Sequence, residues 1–300
     1  MREKKVKLIY NPAAGDHTFP DYLDEFIARF QQAGYRLDIF RSLRKGDLSE
    51  GLENIDEDKY ESIFLAGGDG SINIILNAMM EKSIDLPLGI IPAGTANDFA
   101  SFLNMPDSFE DCFDLLLKRN LYKVDIGCVN NKYFINDCVG GLFSSVSHKT
   151  PQQNKNRLGM FAYYMNGVRK ITELKPIPLK ITTAQEVIKD NFYLFLILNS
   201  KGAGGFRNLA PDAEIDDGLF DFIGVKSRNI FNLSTSVIDF LRNKKPSNDS
   251  IIYRQSNYYK IERFDNNQNK YCDTDGEEGP PYPLEVKVLP QALTVFKNKN

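Results

Sequence analysis

The residues of this chain best suited to chemistry sit in a few short stretches. The first is Phe64-Leu65-Ala66-Gly67-Gly68-Asp69-Gly70-Ser71. It reads as a buried strand that runs into a glycine turn, after which Ile72, Ile75, Leu76 and Met79 recur at helical spacing. Three glycines let the backbone approach a ligand without a Cβ clash. The helix N-terminus behind the turn offers N–H donors and a partial positive charge, which suits phosphate. Ser71 is placed to cap that helix or to donate its hydroxyl to the phosphate. Asp69 is the odd residue, because a carboxylate beside a phosphate is repulsive without a cation between them. The local expectation is a nucleotide-phosphate site that uses Mg²⁺.

A second turn, Gly94-Thr95-Ala96-Asn97-Asp98, repeats the pattern one strand later. Gly94 allows close approach, Thr95 supplies a hydroxyl at an expected helix start, Asn97 is a short polar reader and Asp98 a second acid. One glycine turn is plain punctuation; two on adjacent strands, each with an acid, favour a binding site. Neither GxxxxGK[ST] nor GxGxxG occurs, which disfavours a P-loop and an ordinary dinucleotide fold. Asp125 alone is an unremarkable strand-end acid, but with Asp69 and Asp98 it completes a set able to hold Mg²⁺ through water. Asp273-Thr274-Asp275-Gly276-Glu277-Glu278 is a late acidic turn whose plainer reading is a solvated hairpin. The chain has only two histidines, His17 and His148, so a general base is sought among carboxylates. Pro211 to Leu219 is another acidic turn, either a solvated loop or a structural cation site.

The elements that position these turns follow from periodicity. Lys5–Tyr10, Tyr35–Phe40, the run into Gly67, and Leu88–Ile91 read as strands. Helical patterns lie between them at Leu23–Phe30, stopped by Gly34, and weakly at Leu48–Ile55. More begin after Gly67, near Thr95 and at Phe109–Leu117, before a strand Tyr122–Ile126 that carries Asp125. This alternation argues for a parallel sheet with helices on both faces. In such sheets ligands bind outside the carboxyl ends of the strands, where Asn11, Gly67–Asp69, Gly94–Asp98 and Asp125 all fall. After about Gly127 the segments become short and alternating: Tyr133–Asp137, Leu179–Thr183, Phe192–Leu198, Leu219–Val225, Tyr258–Phe264 and Leu284–Val288. Helical patterns interrupt at Leu158–Ile171 and Asn229–Leu241. The expected fold is a three-layer α/β domain over 1–127, then a mostly antiparallel β-sandwich over 128–289, with 290–300 returning to the first domain.

Composition bounds the rest. Apolar residues make up 42% and the net charge is −3, so a full core is available and nucleic acid is disfavoured as a partner. No apolar run approaches the ~20 residues of a membrane span, and the N-terminus leads straight into a strand rather than a signal peptide. Cys112, Cys128, Cys138 and Cys272 form no CxxC pair, which favours reduced thiols in a cytosol.

Taken together, these residues resemble the catalytic domain of the diacylglycerol kinase family, in its soluble bacterial lipid-kinase branch. Asn11-Pro12-Ala13-Ala14-Gly15 is similar to the family's NPxxG loop, Gly67–Ser71 to its GGDG[TS] signature, and Pro92–Ala100 to its PxGTxNDFA stretch. Val124-Asp125 with Gly140 and Asp275-Gly276-Glu277 resemble its VDxG and DGE elements. The resemblance implies ATP in a cleft between an α/β domain and a β-sandwich, and transfer of its γ-phosphoryl group to a lipid hydroxyl. It implies Asp275 as general base with Glu277 beside it, and Asp69, Asp98 and Asp125 as the Mg²⁺-linked acids. Asn11, Gly67, Gly68, Gly70, Ser71, Gly94, Thr95 and Asn97 would line the nucleotide. Asp217, with backbone carbonyls of Leu219 and Glu214, would hold a structural cation; Asp216 is a rival. Members often carry Asn-Glu after the signature, where this chain has Asn73-Ile74, which argues against an NAD kinase.

The implied enzyme is a cytoplasmic, ATP- and Mg²⁺-dependent kinase that visits the inner membrane surface, with diacylglycerol as the leading acceptor; a homodimer is compatible with this. Basic clusters at Lys155–Arg157 and Arg242–Lys245 would meet an anionic leaflet, or are ordinary solvated faces. The alternatives are a kinase of a soluble acceptor such as NAD, and a nucleotide-binding regulatory protein without catalysis.

Overall fold

The computed structural model describes residues 4–44, 46–141, 176–202, 209–227, 250–265 and 271–298. The chain divides into two compact units, Met1–Val124 with Gln291–Asn300, and Asp125–Pro290.

The first unit runs β1 (Lys4–Tyr10), α1 (Leu23–Gln32), β2 (Tyr35–Arg41), β3 (Tyr60–Gly67), α2 (Asp69–Glu81), β4 (Leu88–Pro92), α3 (Asp98–Phe102) and α4 (Phe109–Lys118). The strands are parallel in the order β2-β1-β3-β4, with Leu8 beside Phe64 and Ile9 beside Leu65. Successive strand residues point to opposite faces, and this sheet is covered on both. Phe64 meets Phe26 and Phe30 of α1, and Phe26 meets Phe113 of α4, with centroids 6.1, 5.1 and 5.1 Å apart. Ile9 faces the other way and packs against the turn Asp47–Leu52. Arg29 ties α1 to α4 by donating to Asp114 Oδ1 at 2.7 Å.

Three local expectations shift. The helix expected over Leu48–Ile55 is a short 3₁₀ turn, Asp47–Leu52. There the Asp47 carboxylate accepts from Ser42 Oγ and from the amides of Leu43 and Arg44, and such side-chain bonds compete with a regular helix. The helix expected near Thr95 starts at Asp98, because Asn97 takes a left-handed φ of 52° that an α-helix does not pass through. The strand carrying Asp125, β5 (Leu121–Val129), stands outside the order β2-β1-β3-β4. It turns back through Asn130-Asn131, both at positive φ, into the antiparallel β6 (Lys132–Phe134). The parallel neighbour of Leu88 in β4 is instead Val295, near the chain's end.

The second unit contains β7 (Asp137–Gly141), β8 (Ile177–Thr182), β9 (Val187–Leu198), β10 (Phe220–Lys226), β11 (Ile251–Ser256), β12 (Tyr258–Arg263), β13 (Tyr271–Thr274) and β14 (Glu277–Pro281). The start of β15 (Leu284–Phe296) belongs to it as well. Neighbours in the order β14-β13-β7-β9-β8-β12-β15 are antiparallel, and β10 pairs with β9 and β11. This is the antiparallel β-sandwich expected from the alternating segments. Phe134, Phe192, Phe195, Phe220, Phe222 and Tyr259 fill its core. The helical patterns at 158–171 and 229–241, both basic clusters and His148 lie outside the described residues. No described helix is long and apolar enough to cross a membrane.

On β10 one carboxylate is buried with the core. Asp221 is 1% exposed and accepts from the Tyr253 hydroxyl and from Gln255 Nε2 on β11. Burial pushes its carboxyl up to about 6, the charges of Asp217 and Asp212 act the same way, and the two donors oppose them. A carboxyl whose folded value lies above its ordinary 3.8 contributes stability that is full below pH 3.8 and lost as the pH rises through about 6. Asn at this position keeps an acceptor for both donors. Asp221→Asn should therefore remove about 2 kcal/mol of pH-dependence between pH 4 and 7, measured by urea denaturation at both pH values. An unchanged dependence would exclude Asp221 as its source.

Candidate active site

In the first unit three loops from far apart in sequence converge. The Asn11 amide donates to Ala66 O at 3.0 Å, and Asn11 Oδ1 accepts from the Ala13 amide at 3.0 Å. That bond closes the small-residue turn at the end of β1. The Ala93 amide donates to Gly67 O at 3.2 Å, which joins the ends of β3 and β4. A Cβ on Gly94 would lie 2.3 Å from Gly68 Cα, so the two glycine turns touch backbone to backbone. A Cβ on Gly15 would lie 2.5 Å from Ala93 O. Glycine is required here by close approach, as the sequence suggested, but the approach is between turns.

Asp69 is the first residue of α2, and its carboxylate crosses to the other turn. Oδ2 accepts from the Asp98 amide and Oδ1 from the Phe99 amide, both at 3.2 Å. It thus caps α3, a helix of only five residues that has few bonds of its own. Within the protein, two N–H donors already meet the Asp69 carboxylate. The Asn97 carboxamide accepts from the Gly94 amide and donates to Gly94 O, both at 2.9 Å, so it locks its own turn. Thr95 is exposed, between those bonds. Ser71 lies inside the first turn of α2, 7% exposed, and Gly68 holds the cap position expected for it. Gly67 is buried; Gly68 and Gly70 are half-buried. Ile74 is half-buried on α2 beside the buried Asn73.

In the second unit the late acidic turn is a two-residue hairpin. Thr274 pairs with Glu277, and the loop residues Asp275 and Gly276 have φ of 48° and 90°. Two left-handed residues in sequence Asp-Gly are the signature of a tight hairpin turn. The tip is not solvated: Asp275 is 7% exposed. Its Oδ2 accepts from the Ile135 amide at 2.8 Å, and its Oδ1 from the Asn136 and Asp137 amides at 2.8 and 3.1 Å. The Asp275 amide returns a bond to Asp137 O at 3.1 Å. Glu277, two residues on, is half-buried.

Asp125, in the middle of β5, is fully buried, and its Oδ2 accepts from the Gly218 amide at 2.7 Å. Its own amide donates to Ile215 O at 2.7 Å, so it anchors the Pro211–Leu219 turn from two points. In that turn Asp217 Oδ1 accepts from the Leu219 amide at 2.9 Å, while Asp217 and Glu214 are exposed and Asp216 is half-buried. Among the described residues no group of three or more His, Cys, Asp or Glu gathers to hold a metal. Within the first unit, Asp69 and Asp98 are brought together across two turns; within the second, Asp125 anchors the turn that carries Asp217. Mg²⁺ commonly keeps several waters and takes one or two carboxylates with substrate phosphates, so the oxygen-only pair Asp69 and Asp98 fits such an ion without a protein cage.

A model of the diacylglycerol kinase catalytic domain matches residues 5–129, and one of the YegS C-terminal NAD kinase β-sandwich-like domain matches 139–297. Diacylglycerol kinase of Staphylococcus epidermidis is 32% identical over 297 residues, which cover 99% of this chain and 93% of the relative. The chain belongs to the diacylglycerol kinase family. The Staphylococcus aureus enzyme of that name is 32% identical over 293 residues, 98% of this chain and 92% of its own. A crystal structure of a candidate diacylglycerol kinase from Bacillus anthracis superimposes with a TM-score of 0.84 at 28% identity, covering 99% of this chain and 96% of that one. The family is one of lipid kinases, so this chain is a phosphotransferase with an alcohol group as acceptor. Membership implies ATP as phosphoryl donor and a divalent metal.

For this family member the glycine turns form one folded unit. Asp69→Asn should uncouple them, because the amide nitrogen it introduces must face the N–H of Asp98 or of Phe99. The expected loss is about 1–3 kcal/mol, the cost of leaving a buried donor unpaired. Urea denaturation measures it, and a change under 0.5 kcal/mol would show that the cross-turn cap carries no stability.

Proposed function

We propose that this kinase transfers the γ-phosphoryl group of ATP to a lipid hydroxyl, with diacylglycerol as acceptor and phosphatidic acid as product. The observation that carries the reading is Asp275, a carboxylate fixed by three backbone amides on a hairpin tip. Asn11, Gly67, Gly68, Gly70, Ser71, Gly94, Thr95 and Asn97 are proposed to line the nucleotide, with the phosphates over the turns that begin α2 and α3. The first turn of α2 presents N–H groups and a favourable dipole to them.

The acceptor hydroxyl oxygen forms a bond to the γ-phosphorus. The bond from that phosphorus to the bridging oxygen breaks, and its electron pair leaves on ADP. The hydroxyl proton passes to the Asp275 carboxylate and then to solvent. Glu277, two residues on, is proposed to assist it. Asp69, Asp98 and Asp125 are proposed to hold Mg²⁺ through water; when bound, the ion neutralises charge on the transferring phosphoryl group. Asp217, with the carbonyls of Leu219 and Glu214, is proposed for a structural cation. Positioning and charge neutralisation supply most of the rate.

Labelled ATP, Mg²⁺ and total membrane lipid separate the readings. Label in the organic extract supports a lipid acceptor, and mass spectrometry names it; label that stays aqueous supports a soluble acceptor. Asp275→Asn keeps the side chain's shape and left-handed backbone, removes the proton acceptor and, with Oδ1 still accepting from Asn136 and Asp137, leaves the Ile135 amide without its acceptor, at about 1–3 kcal/mol. Its kcat should fall at least about 10²-fold, within the range for losing a general base, while the protein still melts cooperatively. A near wild-type rate would remove Asp275 as the base.

A further inference from the structure

We infer that Asn199 is a positioning residue for the phosphoryl transfer: it locks the backbone cradle of Asp275 and ties that cradle to Asp125. The inference rests on the reading of Asp275 as base. Asn199 follows directly after β9 and is 1% exposed. Its Nδ2 donates to two main-chain carbonyls, Asp125 O at 2.8 Å and Ile135 O at 2.9 Å. Its own amide donates to Asn136 O at 2.9 Å.

The segment 135–137 is thereby bound on both sides of its backbone. All three N–H groups point to the Asp275 carboxylate. Of its carbonyls, those of Ile135 and Asn136 are held by Asn199, and that of Asp137 by the Asp275 amide. Peptide groups are planar, so fixing a carbonyl fixes the direction of the N–H on the next residue. Holding Ile135 O orients the Asn136 amide, and holding Asn136 O orients the Asp137 amide. These are the two donors on Asp275 Oδ1.

The orientation of the carboxamide is not arbitrary. Flipping it would set Oδ1 against two carbonyl oxygens. As it stands, Oδ1 is buried with no partner among the described residues, where the side chain is held by its donor end. A buried amide that spends both hydrogens on two backbone segments, each leading to a site carboxylate, sets the distance between them. Effective molarity in transfer reactions depends steeply on such placement, and a misplacement of about 1 Å costs about 10²-fold.

The test uses the full chain, labelled ATP, Mg²⁺ and dioleoylglycerol in mixed micelles. Asn199→Ala and Asn199→Ser should fold, lose about 10–100-fold in kcat and change KM for ATP less than threefold. Ile181→Ala, a core truncation in the same sandwich, should lose stability with kcat unchanged, which separates positioning from loss of fold. In the Asp275→Asn background Asn199→Ala should add little further loss, because both act on one group. A folded Asn199 variant with kcat within threefold of wild type overturns the inference, as does a fully additive double variant. If neither Asn199 variant melts cooperatively, hydrogen exchange on the wild-type protein decides. Amides of 135–137 that exchange faster than those of the β7–β9 ladder overturn the locked cradle; equal or slower exchange supports it. If wild type labels no lipid, or Asp275→Asn stays active, the reading of the base has failed first, and no Asn199 variant is needed to see it.

Discussion

The structure depends on carboxylates that accept backbone N–H groups from remote segments. Asp69 accepts from residues 98 and 99, Asp125 from 218, and Asp275 from 135, 136 and 137. A backbone N–H turned inward needs an acceptor, and a charged one makes a shorter and stronger bond than a neutral one. Each of these acids therefore does two jobs in one place. It closes a turn that has no regular partner, and it sets a negative charge at a fixed point beside that turn.

The turns could not hold themselves. A five-residue helix such as α3 is far below the length at which a helix is stable alone. It stands because Asp69 caps it and because Gly68 and Gly94 let the turns meet without side chains between them. The β13–β14 hairpin is different, since Asp-Gly favours its left-handed turn locally. What the rest of the unit adds is burial: the amides of 135–137 take in the Asp275 side chain that an isolated hairpin would leave in water.

Much of this was legible in the residues. Alternation in β1 to β4 and the run of glycine turns pointed to a parallel sheet with loops at its carboxyl ends. Short alternating segments after Gly127 pointed to a sandwich, and Asp275-Gly276 to a hairpin. The misreadings have one cause. The sequence places a helix start near Thr95, but the Asn97 carboxamide bonds to Gly94 and the helix begins at Asp98. Strand–helix alternation extends the parallel sheet to the strand of Asp125, whereas Asn130-Asn131 turns that strand back into an antiparallel pair. Asn199 has no motif around it. A single polar residue after the apolar run Phe192–Leu198 carries no periodic signal.

The sequence by itself determined the inventory: which turns are glycine-rich, which acids follow them, where apolar period changes from helical to alternating, and which family the motifs resemble. These are local properties, set by residue type and spacing within about ten positions. The tertiary structure decided the partners. Asp69 meets its donors across 29 and 30 positions, Asn199 its carbonyls across 64 and 74, and Asp275 its amides across about 140. Hydrogen-bond geometry over such separations exists only once the sheets have fixed their register. That is why the same Asp69 reads as a charge in want of a cation along the chain, and as a helix cap in the fold.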